Sequence, residues 1–264
     1  MSTDRAQIKA CCAAAYGQDA VALLLGDSYH PGGLALTRRL AYRLGLGPGQ
    51  HVIDVASGAG ATARVLAAEF GATVDGVDLA EPAVQRARAA AKDPTLAAAI
   101  RFHRGDAERL PLPDAVADAV VCECALCTFP DKAAAAAEFA RVLRPGGRVG
   151  VADVTVVGPH LPAELTTLTA WVACIADARP VAGYSDILAT AGLRTVLVER
   201  HDEALTTMIE QIESRLAVLR MTAADRLINA GVDVDAVVRY AALARQAVAD
   251  GVLGYALIVA EKPA

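Results

Sequence analysis

The segment 51–61, HVIDVASGAGA, constrains the fold more than any other part of the chain. Val52, Ile53 and Val55 form a short β-branched run that is typical of a strand buried on both faces. After Asp54, small residues and glycines supply a tight turn. The following ATARVLAAEF favours a helix, because alanine, leucine and arginine have high helix propensities. A strand, a glycine turn and a helix together present backbone N–H groups and a helix N-terminus to the polar end of a ligand.

Two further acidic residues follow segments that resemble strands. ATVDGVDLA predicts a second strand ending near Asp78, which lies 18 residues beyond Gly60. This is close to the ~20-residue spacing at which an acid meets a ribose hydroxyl in doubly wound nucleotide folds. IRFHRG predicts a third strand, and Asp106 follows it. The glycine turn does not fit G-x-G-x-x-G, because Ala63 occupies the last position, and it lacks the Lys-Ser/Thr of a triphosphate loop. These patterns indicate an adenosine that carries an amino-acid tail and no pyrophosphate.

Four motifs in a fixed order carry a resemblance to a known family. HVIDVASGAG, VDGVDLA, GDAERLP and ARVLRPGGRVGVADV span about 49–154 and resemble the class I S-adenosylmethionine-dependent methyltransferases. The resemblance implies S-adenosyl-L-methionine as cofactor, with Asp54 and the glycine turn at its methionine part, Asp78 at the ribose and Asp106 at the adenine. The predicted cofactor-binding residues are Asp54, Ala56, Ser57, Gly58, Gly60, Asp78, Leu79, Asp106, Ala107 and Cys122.

Strand-like and helical segments alternate along the chain, which predicts an α/β fold with a doubly wound, seven-stranded, mostly parallel sheet of the Rossmann-like methyltransferase type. Further strands are predicted at 117–122, 147–156, 193–201 and 253–262, and a first helix at 5–25. We expect one methyltransferase domain over 1–264. Its predicted parts are a helical N-terminal cap or lid (1–48), a cofactor-binding core (49–156), a substrate-side insertion (157–192) and the last two strands with a long helical insertion (193–264).

The long insertion contains an amphipathic helix. TMIEQIESRLAVLRM has apolar residues at helical spacing, namely Met208, Ile212, Leu216 and Leu219. Such a stripe predicts a helix that covers the sheet or pairs with a second copy of the chain in a homodimer.

Charge and composition narrow the range of partners to a small-molecule substrate. The net charge of −5 and the lack of a Lys/Arg cluster argue against nucleic acid. No run reaches the ~18 apolar residues of a membrane span, and we expect no signal peptide, because the first residues lack an apolar region. The six cysteines are then expected in a reducing cytoplasm.

Cysteines cluster where the fourth strand is predicted to end. VCECALCTFPDK contains Cys122, Cys124 and Cys127. Alternation along a strand predicts that Cys122 and Cys124 share a face, and Cys127 can approach them from the turn. Three thiols at one point could bind zinc, form a redox pair, hold a thiophilic substrate, or simply be small buried residues. The last interpretation is favoured for Cys122. No metal site is predicted, because a closely spaced second pair of zinc ligands is missing.

A second resemblance concerns the substrate. VVCECALCTFPDK and WVACIADA (171–178) are similar to two segments of the arsenite methyltransferases. The resemblance implies that Cys124 and Cys174 hold trivalent arsenic and that one cysteine of the pair Cys11-Cys12, taken here as Cys12, serves as third ligand or disulfide partner. With Cys127, these cysteines form the predicted catalytic set.

Departures from that family leave other acceptors open. Glu123 stands where the family has Asn, and Ala176-Asp177 stand where it has Ser-Gly. A small-molecule O-, N- or C-methyltransferase of the quinone or sterol type is the alternative. In that case Tyr29, His30, Glu123 or His160 could act as base or orienting group, and His30, beside Pro31-Gly32-Gly33, is favoured among them. A non-catalytic metalloid or nucleotide sensor is a third hypothesis.

Overall fold

The structure is a computed structural model that describes residues 5–16, 24–25, 29–157, 161, 165 and 175–264. Its seven strands are β1 (His51–Val55), β2 (Thr73–Asp78), β3 (Ile100–Arg104), β4 (Ala117–Glu123), β5 (Leu143–Val156), β6 (Arg194–Arg200) and β7 (Leu253–Glu261). They form one sheet in the order β3-β2-β1-β4-β5-β7-β6. The first five strands run parallel, and β7 is antiparallel to its neighbours β5 and β6. The predicted seven-stranded, mostly parallel sheet is confirmed.

Ten described helices flank the sheet. They are α1 (Arg5–Tyr16), α2 (Gly33–Leu44), α3 (Ala61–Phe70), α4 (Glu81–Ala90), α5 (Pro94–Ala99), α6 (Lys132–Val142), α7 (Val181–Thr190), α8 (Asp202–Thr222), α9 (Ala224–Asn229) and α10 (Val234–Ala249). Within the described chain no helix has the length and apolar character needed to cross a membrane.

The sheet separates two hydrophobic clusters, as a doubly wound fold requires. On one face, residues of α2, α3 and α4 pack with residues of α8 and α10. On the other face, Phe139 of α6 and Tyr184 of α7 are fully buried against β4, β5 and β7. Both faces of the central strands are thereby covered, which explains the near-continuous β-branched and alanine runs of β1, β4 and β5.

One predicted boundary needs correction. The fifth strand starts at Leu143 rather than at 147, because Leu143 pairs with Ala117 before the Pro-Gly-Gly turn. Of the predicted first helix (5–25), residues 5–16 and 24–25 are helical, and 17–23 lie outside the described residues.

The long insertion folds over the sheet, as predicted. Ile209 of α8 and Ala241 of α10 belong to the core cluster that includes Tyr255 of β7. The apolar face of α8 differs from the predicted stripe, since Leu216 is buried whereas Met208 and Ile212 are only half-buried. Pairing of this helix with a second copy stays a prediction.

A charged cluster lies across β1, β2 and β3. The Asp75 carboxylate is 2.7 Å from His51 Nε2 and 2.6 Å from His103 Nε2. His51 Nδ1 lies 3.0 Å from the Val116 carbonyl oxygen. Both ring nitrogens of His51 therefore face acceptors, which requires the doubly protonated imidazolium. The hydrogen bond to Asp75 raises the pKa of His51, and burial opposes this only in part. Burial of Asp75 favours its neutral form, but the two histidines lower its pKa overall.

We expect this cluster to make stability depend on pH. A histidine whose pKa is raised by folding stabilises the protein fully below about pH 6.5 and loses that contribution as pH rises through the folded-state pKa. His51→Gln should therefore lower the free energy of unfolding by about 1 kcal/mol at pH 6 and by less at pH 9. The effect is smaller than the loss of a fully buried ion pair would cause, because His51 is partly exposed. Urea unfolding of His51→Gln, Asp75→Asn and the double variant measures the coupling. A coupling energy that is the same at both pH values would contradict the assignment.

Candidate functional site

A cavity of about 170 Å³ opens at the carboxyl ends of β1, β2 and β4. In parallel sheets this edge is where ligands bind. Most predicted site residues line the cavity: Cys12, Asp54, Ala56, Ser57, Gly58, Asp78, Leu79, Asp106, Ala107 and Cys124. Gly60, Cys122 and Cys127 do not line it.

The glycine turn after β1 is tied to the end of β2. The N–H of Gly58 donates to Asp78 Oδ2 at 2.8 Å, and the N–H of Ala80 donates to Asp78 Oδ1 at 2.8 Å. Burial raises the pKa of Asp78, although these two bonds oppose the shift. Gly60 has φ 77°, and a Cβ there would lie 2.5 Å from the ring of Phe102. Glycine at this position therefore allows the turn to start α3.

Asp54 is the most deeply buried acid of the cavity, with 3% of its surface exposed. The backbone N–H of Ala63 in the first turn of α3 bonds to its carboxylate. Its Oδ2 and the hydroxyl of Ser57 are buried and have no hydrogen-bond partner among the described residues. Burial, together with the nearby carboxylates of Glu123 and Asp78, raises the pKa of Asp54 well above its ordinary value. An unpaired buried carboxylate oxygen requires a donor, and a cationic ligand would supply one.

Glu123 ends β4 and is held by three other elements. Its carboxylate accepts hydrogen bonds from Thr62 Oγ1 at 2.6 Å and from Thr37 Oγ1 at 3.0 Å. His30 Nε2 lies 3.6 Å from the same carboxylate and 3.3 Å from Thr37 Oγ1. His30 and Glu123 both line the cavity, and Tyr29 lies beside them. His30 and Glu123 were each considered as candidate bases from the sequence. The two threonines were missed, because only the packing of α2 and α3 brings them together.

Helix α1 closes one side of the cavity. Lys9 Nζ lies 2.6 Å from Asp106 and 2.5 Å from Glu108, and all three residues line the cavity. Partial burial works against the charged form of Lys9, but the two carboxylates raise its pKa overall. This contact places Cys12, one turn further along α1, on the lining. Lys9 and Glu108 were missed from the sequence, because a contact over about a hundred residues leaves no local pattern.

The prediction that three cysteines meet at the end of β4 is wrong for Cys122. The chain turns at Cys124, which has a left-handed φ of 52°, and its side chain packs toward the cluster on the α2 and α3 face. Cys122 lies in the opposite cluster, fully buried, and burial raises the pKa of its thiol well above the ordinary value. Cys122 and Cys124 therefore do not share a face.

Cys127 is 1% exposed and belongs to the core, so only Cys124 of this segment reaches the cavity. Cys174 and His160 lie outside the described residues. In the part of the chain that is described, no group of three or more His, Cys, Asp or Glu side chains is arranged to hold a metal ion.

Comparisons with known proteins agree with this geometry. A family model described as "Methyltransferase domain" matches residues 53–151. An uncharacterized protein of Haemophilus influenzae is 32% identical over 182 residues, which cover 68% of this chain and 72% of that protein. The chain belongs to the class I S-adenosylmethionine-dependent methyltransferase family.

Other members of this family are similar over shorter segments. The chain is 35% identical over 132 residues to "Methyltransferase GfsG" of Streptomyces halstedii, which covers 50% of this chain and 48% of that one. It is 32% identical over 162 residues to the "Arsenite methyltransferase" of Halobacterium salinarum, covering 60% of this chain and 41% of that one. The chain thus spans about half or less of the length of these two relatives.

Solved structures of the same fold are more distant in sequence. A phosphoethanolamine N-methyltransferase 2 of Haemonchus contortus, in complex with S-adenosyl-L-methionine, has a TM-score of 0.77 at 20% identity and covers 99% of this chain and 58% of that one. The [4+2]-cyclase SpnF has a TM-score of 0.74 at 22% identity, covering 99% and 97%. At these identities the likeness concerns the fold, and the second protein is named for a different chemistry.

Replacement of Asp54 by asparagine should stabilise the protein in the absence of ligand. Because its pKa is raised on folding, the ionised Asp54 destabilises the protein without ligand increasingly as pH rises above about 3.8. Asp54→Asn should therefore raise the free energy of unfolding at pH 7.5 by about 1 to 3 kcal/mol, the penalty of an unpaired buried charge. Urea unfolding measures this change, with the exposed Asp114→Asn as control. A destabilised Asp54→Asn protein would show that a partner for Oδ2 already exists.

Proposed function

We propose that this chain transfers a methyl group from S-adenosyl-L-methionine to a small-molecule acceptor. The observation that carries the proposal is the set of three acids, Asp54, Asp78 and Glu123, at the ends of the adjacent strands β1, β2 and β4 around one cavity. Carboxylates that lie close together in a partly buried cavity repel one another when ionised, unless a cation binds beside them. S-adenosyl-L-methionine supplies a methyl group on a positively charged sulfonium.

The residues present fit this cofactor. The unpaired Oδ2 of Asp54 is placed to accept from an ammonium group, and Asp78 carries the acceptor oxygens that ribose hydroxyls require. Asp106 and Ala107 also line the cavity, and they would contact the adenine. The small residues Ala56 and Gly58 leave the backbone accessible to the ligand.

For the acceptor, we propose a trivalent arsenical or a similar thiophilic species. Two cysteines from distant elements support it, since Cys12 on α1 and Cys124 after β4 both line the cavity. Trivalent arsenic prefers thiolate ligands, and its lone pair can attack a methyl group without the removal of a proton. The two thiols would hold the acceptor near the methyl group, so that catalysis arises from positioning. Cys174, which the resemblance assigns as a ligand, would complete this set.

Serine substitutions test the thiophilic acceptor. Cys12→Ser and Cys124→Ser should each lower arsenite methylation at least tenfold, because the hydroxyl is a poor ligand for a soft centre. Cys174→Ser should do the same. Cys11→Ser is the matched control, since Cys11 neighbours Cys12 but does not line the cavity. Mass spectrometry of methylated arsenicals gives the rate, and calorimetry with S-adenosylhomocysteine shows whether the cofactor site is intact. Full arsenite methylation by the Cys12→Ser, Cys124→Ser double variant would refute this acceptor.

A specific observation favours a second candidate, an acceptor with an O–H or N–H group. Glu123 lies on the cavity, beside His30 and within hydrogen-bond distance of two threonine hydroxyls. An acid that is held in place by donors on one side can accept a substrate proton on the other, and His30 is placed to share it. A quinol or amine acceptor would need such a base, because it must lose a proton. An arsenical would not need one.

Glu123→Gln distinguishes the two acceptors. With a quinol or phenolic acceptor, loss of the base should lower kcat by a factor on the order of 10² to 10⁴. With arsenite, the same variant should change kcat by much less, since no proton is removed. Glu69→Gln on the exposed side of α3 is the control. A chain that binds the cofactor but turns over neither class of acceptor would favour the sensor hypothesis.

A further inference from the structure

We infer that a second cavity, beside the first, binds the part of the acceptor that is remote from the transferred methyl group. The cavity measures about 290 Å³ and lies between the segment before α2 and one face of α8. Its apolar lining includes Leu24, Leu25, Met208 and Ile212. The inference rests on the proposed methyl transfer and names the kind of molecule that the site accepts.

His30 lies between the two cavities. Its side chain is buried and lines both of them. On the side of the first cavity, its ring is near Thr37 and Glu123. On the other side, Gly32 and Gly33 leave the neighbouring backbone without side chains against α8. His30 is the one described residue that lines both cavities, so an acceptor in the second cavity would contact it.

The size of the second cavity suits a small ligand. Sites for drug-sized ligands measure about 300 to 1,000 Å³. At about 290 Å³, the second cavity is close to the lower end of that range.

The charges of the two cavities differ in sign. The first is lined by the acids described above. The described lining of the second contains no acid and one arginine, Arg215, with Gln211 one turn earlier on α8. Arg215 uses one nitrogen to donate to the Leu24 carbonyl oxygen at 3.1 Å, and a guanidinium has four more N–H groups. Carboxylates pair with such a group.

The chemistry of the second cavity therefore fits an amphipathic carboxylate. An apolar body would lie against the leucines, Met208 and Ile212, and the carboxylate would face Arg215 and Gln211. The reactive end would extend past His30 into the first cavity. An acceptor of this kind is an organic acid that carries the methyl-accepting group at its opposite end, whether that group is a hydroxyl, an amine or a thiol-reactive metalloid.

Methyl-labelled methionine provides a direct test. The chain has three methionines, of which Met208 lines the cavity and Met221 is 87% exposed near the end of α8. The probe is 2-naphthoate, added to full-length protein that carries ¹³C-methyl methionine and is saturated with S-adenosylhomocysteine. We expect a saturable shift of the Met208 signal and none of the Met221 signal. Met208→Leu and Met221→Leu assign the two signals.

Variants test the chemistry of the cavity. Arg215→Gln should weaken 2-naphthoate about threefold, the size typical of an exposed ion pair, and should not weaken neutral 2-naphthamide. Arg220→Gln on the same helix, which lies outside the cavity, is the control. Ala204→Trp should fill the cavity and abolish the Met208 shift.

The outcomes separate the two proposals. An unshifted Met208 signal, equal shifts of Met208 and Met221, or equal affinity for the acid and the amide in all variants would overturn the inference. Calorimetry with S-adenosylhomocysteine on the same sample tests the cofactor site independently. Normal cofactor binding without a naphthoate site would refute the second cavity alone, whereas absent cofactor binding would refute the proposed methyl transfer.

Discussion

Buried carboxylates at the ends of adjacent parallel strands are the constraint on which the site depends. Asp54, Asp78 and Glu123 are brought together because β2, β1 and β4 are neighbours and run in the same direction. Each acid is partly compensated by its own donors, which are backbone N–H groups for Asp54 and Asp78 and threonine hydroxyls for Glu123. The compensation is incomplete at Asp54, where burial dominates. The fold thus keeps a concentration of negative charge that a positively charged ligand would neutralise.

The backbone is also shaped at this edge. Only three non-glycine residues of the described chain have positive φ, and two of them, Ala56 and Cys124, line the cavity. They follow β1 and β4 at corresponding places, so that both strands end in a sharp turn toward the ligand. Left-handed backbone at residues with a side chain costs roughly 1 to 3 kcal/mol each and is found mainly at functional sites. At Cys124 the same turn moves the thiol away from Cys122 and toward the cavity.

Much of the fold could be predicted from local patterns, because parallel strands buried on both faces have a strong composition signal. Asp54, Asp78 and the glycine turn could be predicted from the pattern of strand, turn and spacing, whereas Glu123 was considered only as a candidate base. Alternation within a strand failed at Cys124, where the strand had already ended. The fifth strand began earlier than predicted, because a Pro-Gly-Gly turn can lie inside a strand that resumes its pairing. Lys9, Thr37 and Thr62 could not be predicted, since only the tertiary packing of α1, α2 and α3 places them at the cavity.

The two cavities carry opposite charges, which fit the proposed cofactor and the proposed acceptor respectively. Acids surround the place proposed for a sulfonium, and an arginine borders the place proposed for an organic acid, with His30 between them. The most direct test of the central claim is calorimetry of S-adenosyl-L-methionine binding at pH 6 in buffers of different ionisation enthalpy. A cation beside Asp54 should lower its raised pKa, so binding should release protons in the wild type and fewer in Asp54→Asn. Absence of binding, or proton release that is identical in the two proteins, would contradict the account.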